Sequence, residues 1–263
     1  IPSNYTFEYL VLVNDLIGNT HFGSLLSSVS EDKIKTQAKS SAVTNKLFAA
    51  NLAKQNTAST YLLFKDSIDE YINSDNAELR QVGIELLSHF PDEFLLENHQ
   101  KISGFCFSEY NEVRQAIQPT VEKLIALDDN FKTNLFKALL RAIETAETYE
   151  GLHENCYTLL TTNYKQYLGS IPEESIFGLI LSKYDYAQKL GEPLFTEHIK
   201  VETLSVKTIV SLAHSDVFNI RTILKQYFEK HTATINSQLE DALLVFNSNW
   251  EDVIDWACQY FET

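Results

Sequence analysis

The sequence predicts an all-α protein that is built from repeated helical hairpins. Only 8 Gly and 5 Pro occur among 263 residues, which argues against a β protein rich in turns. A pattern led by a serine recurs at a nearly constant interval along the chain, which is typical of stacked helical repeats. Each copy places apolar residues at steps of three and four, which match the turn of an α-helix.

The repeated pattern starts at the serine in the turn between the two helices of each hairpin. These serines are Ser74, Ser108, Ser182, Ser215 and Ser248. The apolar positions lie five, eight, nine, twelve and thirteen residues after the serine, and one more lies six residues before it. One hairpin cannot bury both of its apolar faces, so neighbouring hairpins are expected to stack.

The N-terminal region, 1–58, is predicted to be helical without a clean copy of the pattern, so it could hold divergent repeats. An apolar run over 5–16 predicts a buried helix, which ends at a glycine and an asparagine that suit a helix C-cap. A short, less regular segment follows over 21–29. Ser30 then supplies an N-cap for a helix that extends to about Leu52.

Residues 59–263 are predicted to form the repeat region, with a divergent unit around 128–170. The gap between Ser108 and Ser182 is more than twice the usual interval, so it leaves room for that unit. The predicted helices, in order, are 61–72, 78–90, 98–106, 111–125, 130–147, 153–167, 173–181, 184–195, 205–213, 217–228, 237–246 and 250–261.

The serine of each turn is predicted to cap the second helix by accepting a hydrogen bond from an unpaired backbone N–H. Acidic residues follow the serine closely, where the helix dipole favours negative charge. They are Glu78, Glu112, Asp185, Glu251 and Asp252. Pro119 and Pro193 both lie eleven residues after a serine, and each is predicted to bend its helix because proline lacks the N–H.

The charge of the chain disfavours a nucleic-acid partner. The net charge is −15 and the isoelectric point is near 4.8, whereas phosphate attracts clustered Lys and Arg. No apolar stretch has the length of a membrane span, and the first residues do not resemble a signal peptide. Cys106, Cys156 and Cys258 are an odd number, spread through predicted helices, which indicates buried reduced thiols. We therefore expect a cytoplasmic protein without a membrane contact.

The sequence contains no methionine, not even an initiator. Either the chain is a piece cut from a longer protein, or methionines are missing from the sequence. Trp256 and Phe261 are expected on a final face that has no polar capping repeat, although a solenoid end normally needs one. This pattern predicts that the array continues in a parent protein.

The second helices open with a motif that resembles HEAT repeats. It reads Glu-Leu-Arg at 78–80, Glu-Val-Arg at 112–114 and Asn-Ile-Arg at 219–221. The stretches 205–214 and 248–253 are similar to large bacterial HEAT-repeat proteins that often carry a WGR domain.

The resemblance covers about 60–261 and implies a HEAT/ARM-like, right-handed α-α superhelix that acts as a protein-binding scaffold. We expect about seven repeats if the N-terminal region takes part. This chain has no WGR domain, so a nucleic-acid role of that domain does not extend to it. Gln188 and Ile254 depart from the pattern, because they replace the arginine of the HEAT ladder.

Three aromatic residues share one position, two residues after the serine of their turns. They are Tyr110, Tyr184 and Trp250. Aligned aromatic residues could form a partner-binding ridge, because amphipathic aromatic side chains are enriched at binding hot spots. They could instead pack between adjacent hairpins.

No other set of residues indicates a chemical site. His153 and Cys156 lie three apart on one helix face and could reach a single metal ion, but a second pair at that spacing is missing. We expect a capping histidine beside a buried cysteine. The sequence has no glycine-rich phosphate loop, nucleophile elbow or HExxH motif, so it predicts no catalytic residue, cofactor or metal.

These observations predict a non-enzymatic scaffold that binds another protein or another domain of its own parent chain. The alternative is a HEAT-like protein that binds DNA or repairs DNA bases. Such a protein would need a positively charged groove with an aromatic-lined pocket and an acid, and the net charge argues against it.

Overall fold

The computed structural model describes residues 29–55 and 57–262, and every regular element in these ranges is helical. The prediction of an all-α fold is therefore confirmed. The helix predicted over 5–16 and the segment predicted over 21–29, apart from Val29, lie outside the described residues. The chain divides into two units, Ile1–Leu135 and Phe136–Thr263.

Unit 1 contains three helical hairpins in the described part of the chain. Its helices are α1 (Glu31–Ala38), α2 (Val43–Gln55), α3 (Thr60–Phe64), α4 (Ile68–Ile72), α5 (Ala77–Leu87), α6 (Asp92–Glu97), α7 (His99–Phe105), α8 (Asn111–Ala116) and α9 (Gln118–Leu127), with a 3₁₀ turn at Thr57–Ser59. The hairpins join α1 to α2, α4 to α5, and α7 to α8.

Unit 2 contains four hairpins, and the boundary between the units falls within the first helix of the first hairpin. Its α-helices are α10 (Asp129–Ile143), α11 (Leu152–Thr162), α12 (Glu173–Ile180), α13 (Asp185–His198), α14 (Val206–Ser211), α15 (Phe218–Lys230), α16 (Thr232–Ser237), α17 (Leu239–Ala242) and α18 (Glu251–Glu262). Its 3₁₀ segments are Lys165–Ser170, Val201–Thr203, Leu212–His214 and Leu243–Asn247.

Within each unit, helices that occupy the same position in their hairpins pack against each other. In unit 1 the second helices α2, α5 and α8 contact in that order, and α4 packs on α5. In unit 2, α11 packs on α13, α15 packs on α18, and the first helices α14 and α17 contact each other. Each hairpin therefore buries one face in its own pair and another against a neighbour.

The predicted apolar positions form the core. The position six residues before the serine is buried in every copy: Ile68, Ile102, Ile176, Ile209 and Ala242. The position five residues after the serine is also buried in every copy: Leu79, Val113, Ala187, Ile220 and Val253. In the last hairpin, however, Trp256 and Phe261 are only half-buried. The periodicity thus predicts the buried face correctly.

The hairpin of α1 and α2 carries a further copy of the pattern, in a region where no clean copy was predicted. Ser40 precedes Ser74 by the same interval that separates Ser74 from Ser108, and its Oγ accepts a hydrogen bond from the N–H of Ala42 at 3.2 Å. Ile34, six residues before this serine, is buried, as are Ala49 and Ala53, nine and thirteen residues after it. The helix predicted to extend from Ser30 to Leu52 is wrong in one respect, because the turn at Ser40 divides it into two helices.

The two prolines at the same repeat position act differently. Pro119 lies in the first turn of α9, and the second helix of its hairpin is interrupted at Ile117. Pro193 lies inside α13, which continues as one helix from Asp185 to His198. Proline at this position therefore interrupts one helix and is accommodated within the other.

Two glycines mark places where the helices of a hairpin come close together. Both Gly83 and Gly191 lie nine residues after the serine of their turn. A Cβ atom on Gly83 would lie 2.7 Å from the Cβ of Tyr71, and one on Gly191 would lie 2.7 Å from the Cβ of Leu179. Only glycine lets these two pairs of helices cross at this distance.

We predict that Phe228→Ala lowers the free energy of unfolding by about 3–5 kcal/mol, as expected for a large-to-small change in a core. Phe228 is 0% exposed and its ring packs against Trp256, Tyr260 and Phe261. Phe218→Ala on the same helix is the matched control, because Phe218 is 60% exposed. Urea unfolding measures both variants. A loss below about 1 kcal/mol for Phe228→Ala would mean that this ring contributes little to the core.

Gly83→Ala should destabilise the protein by about 1–3 kcal/mol, because the new methyl group overlaps Tyr71 and the helices must separate. Gly104→Ala is the matched control, since a Cβ there meets no atom within 4 Å. This control should leave stability unchanged or raise it by up to about 1 kcal/mol, because alanine favours a helix. Thermal unfolding of both variants is the measurement, and equal shifts would refute the close crossing.

Candidate functional site

The turn that opens each second helix has the same hydrogen bond in every copy that the sequence predicted. The serine Oγ accepts from the backbone N–H two residues later, at 3.1–3.2 Å in the turns of Ser74, Ser108, Ser182, Ser215 and Ser248. The helix itself begins one residue after that N–H. The predicted role of serine as the N-cap is therefore wrong, because its hydroxyl closes the turn that precedes the N-cap.

The residue two positions after the serine lies immediately before the second helix. Asn76, Tyr110, Tyr184 and Val217 are the N-cap residues of their helices, and Trp250 directly precedes α18. Among the first four, the side chain of Asn76 alone caps the helix, by accepting from the N–H of Leu79 at 2.9 Å. The aromatic residues of the predicted ridge thus stand at helix starts.

An arginine six residues after the serine binds back to the turn of its own hairpin. The Nη1 atoms of Arg80, Arg114 and Arg221 donate to the carbonyl oxygens of Ser74, Ser108 and Ser215 at 2.8, 2.7 and 2.8 Å. The three arginine residues are buried. Each guanidinium group therefore donates a hydrogen bond to a turn carbonyl that accepts none from the helix backbone.

The same arginine also contacts the turn of the next hairpin. The Nε of Arg80 donates to Glu112 at 3.0 Å, and its Cζ lies 3.7 Å from the ring centre of Tyr110. The equivalent distances from Arg221 are 3.1 Å to Asp252 and 4.1 Å to the ring centre of Trp250. We call this arrangement of carbonyl, carboxylate and aromatic ring around one guanidinium group the arginine clamp. It uses the donor edge and the flat face of arginine at once.

The acidic partners of the clamp have lowered pKa values. Partial burial acts to raise the pKa of Asp252, but hydrogen bonds and charge from Lys225 and Arg221 outweigh it and lower the pKa. Lys225 also donates to the backbone oxygen of Asp252 at 2.8 Å. Burial also acts to raise the pKa of Glu112. A backbone hydrogen bond to its carboxylate and the contact with Arg80 outweigh burial, so the pKa of Glu112 is lowered.

Two of the serines add a direct link between hairpins. The Oγ of Ser215 donates to the carbonyl of Ile180 at 2.7 Å, and the Oγ of Ser248 donates to the carbonyl of Ala213 at 2.6 Å. Both serines are buried. Each of these hydroxyl groups thus accepts a hydrogen bond within its own turn and donates one to the preceding hairpin. The hydroxyl is used as both acceptor and donor.

Tyr184 meets a histidine where the other two ridge residues meet an arginine. Its ring centre lies 5.2 Å from that of His153, in an edge-to-face arrangement. The Nε2 of His153 lies 2.9 Å from the carbonyl of Thr145 and must be its donor, because a carbonyl only accepts. His153 therefore binds its own turn and packs against the next hairpin, as the clamp arginines do.

This arrangement gives His153 a structural role within its hairpin. One ring nitrogen of His153 donates to the carbonyl of Thr145, and Cys156 is buried and outside any disulfide. Within residues 29–55 and 57–262, no group of three or more His, Cys, Asp or Glu residues is placed to hold a metal ion.

None of the three cysteines forms a disulfide, but their environments differ. Cys106 and Cys156 are buried, as the sequence predicted, whereas Cys258 is exposed. The prediction of a buried thiol is wrong for Cys258 because its position on α18 faces away from the core that Val253 and Ala257 form.

Tyr110 is the most exposed of the three ridge residues, at 43%. Tyr184 and Trp250 are half-buried. One face of the Tyr110 ring is covered by Arg80, and the ring borders a shallow groove between two successive turns. Asn73 and Phe105 also line this groove. The groove combines a fixed aromatic ring with polar groups from two turns.

No protein-family model, no curated protein and no solved structure matches this chain.

The described helices give no indication of a membrane span. None of them combines the length and the apolar character that crossing a bilayer requires.

Arg221→Met should lower the free energy of unfolding by about 1–3 kcal/mol, because it leaves a buried carbonyl and Asp252 without their donor. Arg221→Gln is the matched control and should cost less, since Gln188 at the same position donates to the Ser182 carbonyl at 2.6 Å. Urea unfolding at neutral pH compares the two variants. Equal losses would show that the carbonyl contact does not contribute to stability.

The same pair of variants tests the acid response. Because the pKa of Asp252 is lowered in the folded state, its contribution to stability is present above the unfolded pKa and is lost as pH falls through the folded pKa. The wild-type protein should therefore lose stability more steeply below the ordinary aspartate range than Arg221→Met does. Urea unfolding repeated across that acidic range is the measurement, and parallel pH profiles would contradict the assignment.

Proposed function

We propose that this chain is a HEAT-like helical-repeat scaffold, with the form of a right-handed α-α superhelix, that binds a partner protein through aromatic residues at the starts of its second helices. The proposed binding residues are Tyr110 in unit 1 and Tyr184 and Trp250 in unit 2. The partner is another protein, or another domain of a longer parent chain. Within this proposal the chain has no catalytic role and needs no cofactor.

The single observation that supports the proposal is the state of Tyr110. Its ring is 43% exposed, yet one face is fixed 3.7 Å from the Cζ of Arg80. A rigid, amphipathic aromatic side chain loses little conformational freedom on binding, which is why such residues are enriched at hot spots. The groove beside the ring would accept a side chain of the partner.

The HEAT-like form is supported by the repeat itself. Hairpins recur at a nearly constant interval on either side of the divergent unit, and Arg80, Arg114 and Arg221 hold the ladder position that HEAT repeats use. The bacterial HEAT-repeat proteins that often carry a WGR domain are the family that we propose as relatives. Stacked hairpins of this kind present long surfaces, which are commonly used to bind proteins.

A photo-crosslinking amino acid placed at position 110 tests the proposal, with position 62 as the matched control. Leu62 is also in unit 1 and is 56% exposed, but it lies on α3 and not in a turn led by a serine. We expect a defined partner to be captured from position 110 only. Binding of that purified partner should weaken about tenfold or more in Tyr110→Ala, and should be retained in Tyr110→Phe and Leu62→Ala.

Two outcomes would contradict the proposal. One is equal capture from both positions, with no effect of Tyr110→Ala on binding. The other is retention of duplex DNA at modest salt that falls steeply as salt rises, which would favour the DNA-binding alternative. Thermal unfolding of each variant establishes that the hairpins stay folded.

A further inference from the structure

The last hairpin has an exposed apolar surface on the side away from the rest of unit 2. Leu239, Leu243, Leu244 and Phe246 are exposed, whereas Ala242 and Val245 among them are buried. The spacing of four and three places Leu239, Leu243 and Phe246 on one side of α17 and the following 3₁₀ segment.

A residue of the second helix extends this surface. The ring of Phe246 lies 5.8 Å from the ring of Phe261 on α18. The side chain of Phe261 is half-buried. We call Leu239, Leu243, Phe246 and Phe261 the end face.

The preceding hairpin indicates what this surface is shaped to receive. Val206, Val210 and Ala213 hold the positions equivalent to Leu239, Leu243 and Phe246, and all three are buried. Val206 and Val210 lie on α14 and Ala213 lies in the 3₁₀ segment that follows it. Helix α14 is covered by α17 and the 3₁₀ segment Leu243–Asn247. Position 210 is 3% exposed, and its counterpart at 243 is 43% exposed. The end face therefore repeats a surface that packs against a helix.

The clamp residues indicate that the occupant differs from the hairpins of this chain. Arg221 and Lys225, which bind Asp252 of the following hairpin, have Ile254 and Cys258 as their counterparts on α18. A hairpin with an acid in its opening turn would find no cation there. Its carboxylate would instead meet a negatively charged surface.

The charge around the end face has a single sign. From 232 to 263 the sequence has six acidic residues and no Lys or Arg. Four of the six are exposed: Glu240, Glu251, Asp255 and Glu262. Two copies of the chain that met through this face would bring like charges together, which opposes association.

We propose that the end face binds a basic amphipathic helix of a partner protein. Apolar residues at steps of three and four along that helix cover Leu239, Leu243 and Phe246, as α17 covers α14. Lysine or arginine residues beside that apolar stripe pair with Glu240 and the other exposed acids. This surface is separate from Tyr110 and does not depend on the function proposed for the ridge.

Three synthetic peptides of about 18 residues, or five helical turns, test the proposal. The first is an amphipathic helix of leucine and lysine on an alanine background. The second replaces each lysine with glutamate, and the third replaces each leucine with serine. Binding of each labelled peptide to the whole chain is measured by fluorescence anisotropy at low and moderate salt.

We expect the leucine–lysine peptide to bind at least about tenfold more tightly than either control. Leu243→Ser should weaken this binding by about tenfold, and Leu62→Ser, the matched change on an exposed leucine of unit 1, should leave it unchanged. Glu240→Lys should weaken binding mainly at low salt, because surface charges are screened at higher salt. If Leu243→Ser melts early, Leu239→Ser takes its place.

Four results would overturn the proposal. Equal binding of the serine peptide would show attraction by net charge alone, and equal binding of the glutamate peptide would show that basic residues are not required. Unchanged binding in Leu243→Ser would place the peptide elsewhere. Self-association in sedimentation velocity that Leu243→Ser abolishes would assign the end face to a second copy of this chain.

Discussion

The arginine clamp is the contact that aligns the turns of neighbouring hairpins. Around Arg80 and around Arg221, a single guanidinium group binds the carbonyl of its own turn, a carboxylate of the next hairpin and an aromatic ring of that hairpin. A lysine could supply the charge but not the flat face or the fixed set of donors. The clamp also depends on the serine, because its hydroxyl folds the turn so that the carbonyl points towards the arginine. Packing of the apolar faces brings the hairpins together, and the clamp fixes how their turns align.

The residues that replace arginine show which part of the clamp is required. Gln188 donates to the Ser182 carbonyl at 2.6 Å and reaches Asp216 at 3.3 Å, without a charge. His153 binds the carbonyl of Thr145 and the ring of Tyr184. A donor to the carbonyl of the turn is therefore common to these copies, whereas the charge pair is present only in some. This agrees with the cost of about 1–3 kcal/mol for a buried polar group that has no partner.

The sequence was sufficient to predict the buried positions, because the apolar face of a helix follows from local periodicity. Ile68 and Ile176, for example, are buried where the pattern places them. The role of the serine was predicted incorrectly, since a hydroxyl before a helix can accept from several N–H groups and only the backbone path selects one. The hairpin of α1 and α2 was not predicted because Ser40 is followed by neither an early acid nor an arginine, although its distance from Ser74 matches the repeat.

The clamp itself could not be predicted either. Arg80 and Tyr110 belong to different hairpins, and the repeat predicts both positions but not their contact. The hydrogen bond from His153 to the carbonyl of Thr145 forms across a longer turn, in which Gly151 adopts a left-handed backbone with φ of 85°.

The clamp has a direction along the chain, and this affects how the protein is made. In each charged pair of the clamp the earlier hairpin supplies the cation and the later one supplies the acid, as Arg221 and Lys225 do for Asp252. Synthesis proceeds from the N-terminus, so a finished hairpin presents its positive charges to the segment that emerges next. The nascent chain therefore carries a local attraction for the correct neighbour at its growing end. Addition of hairpins in sequence order is favoured over pairing between hairpins that are distant in the chain.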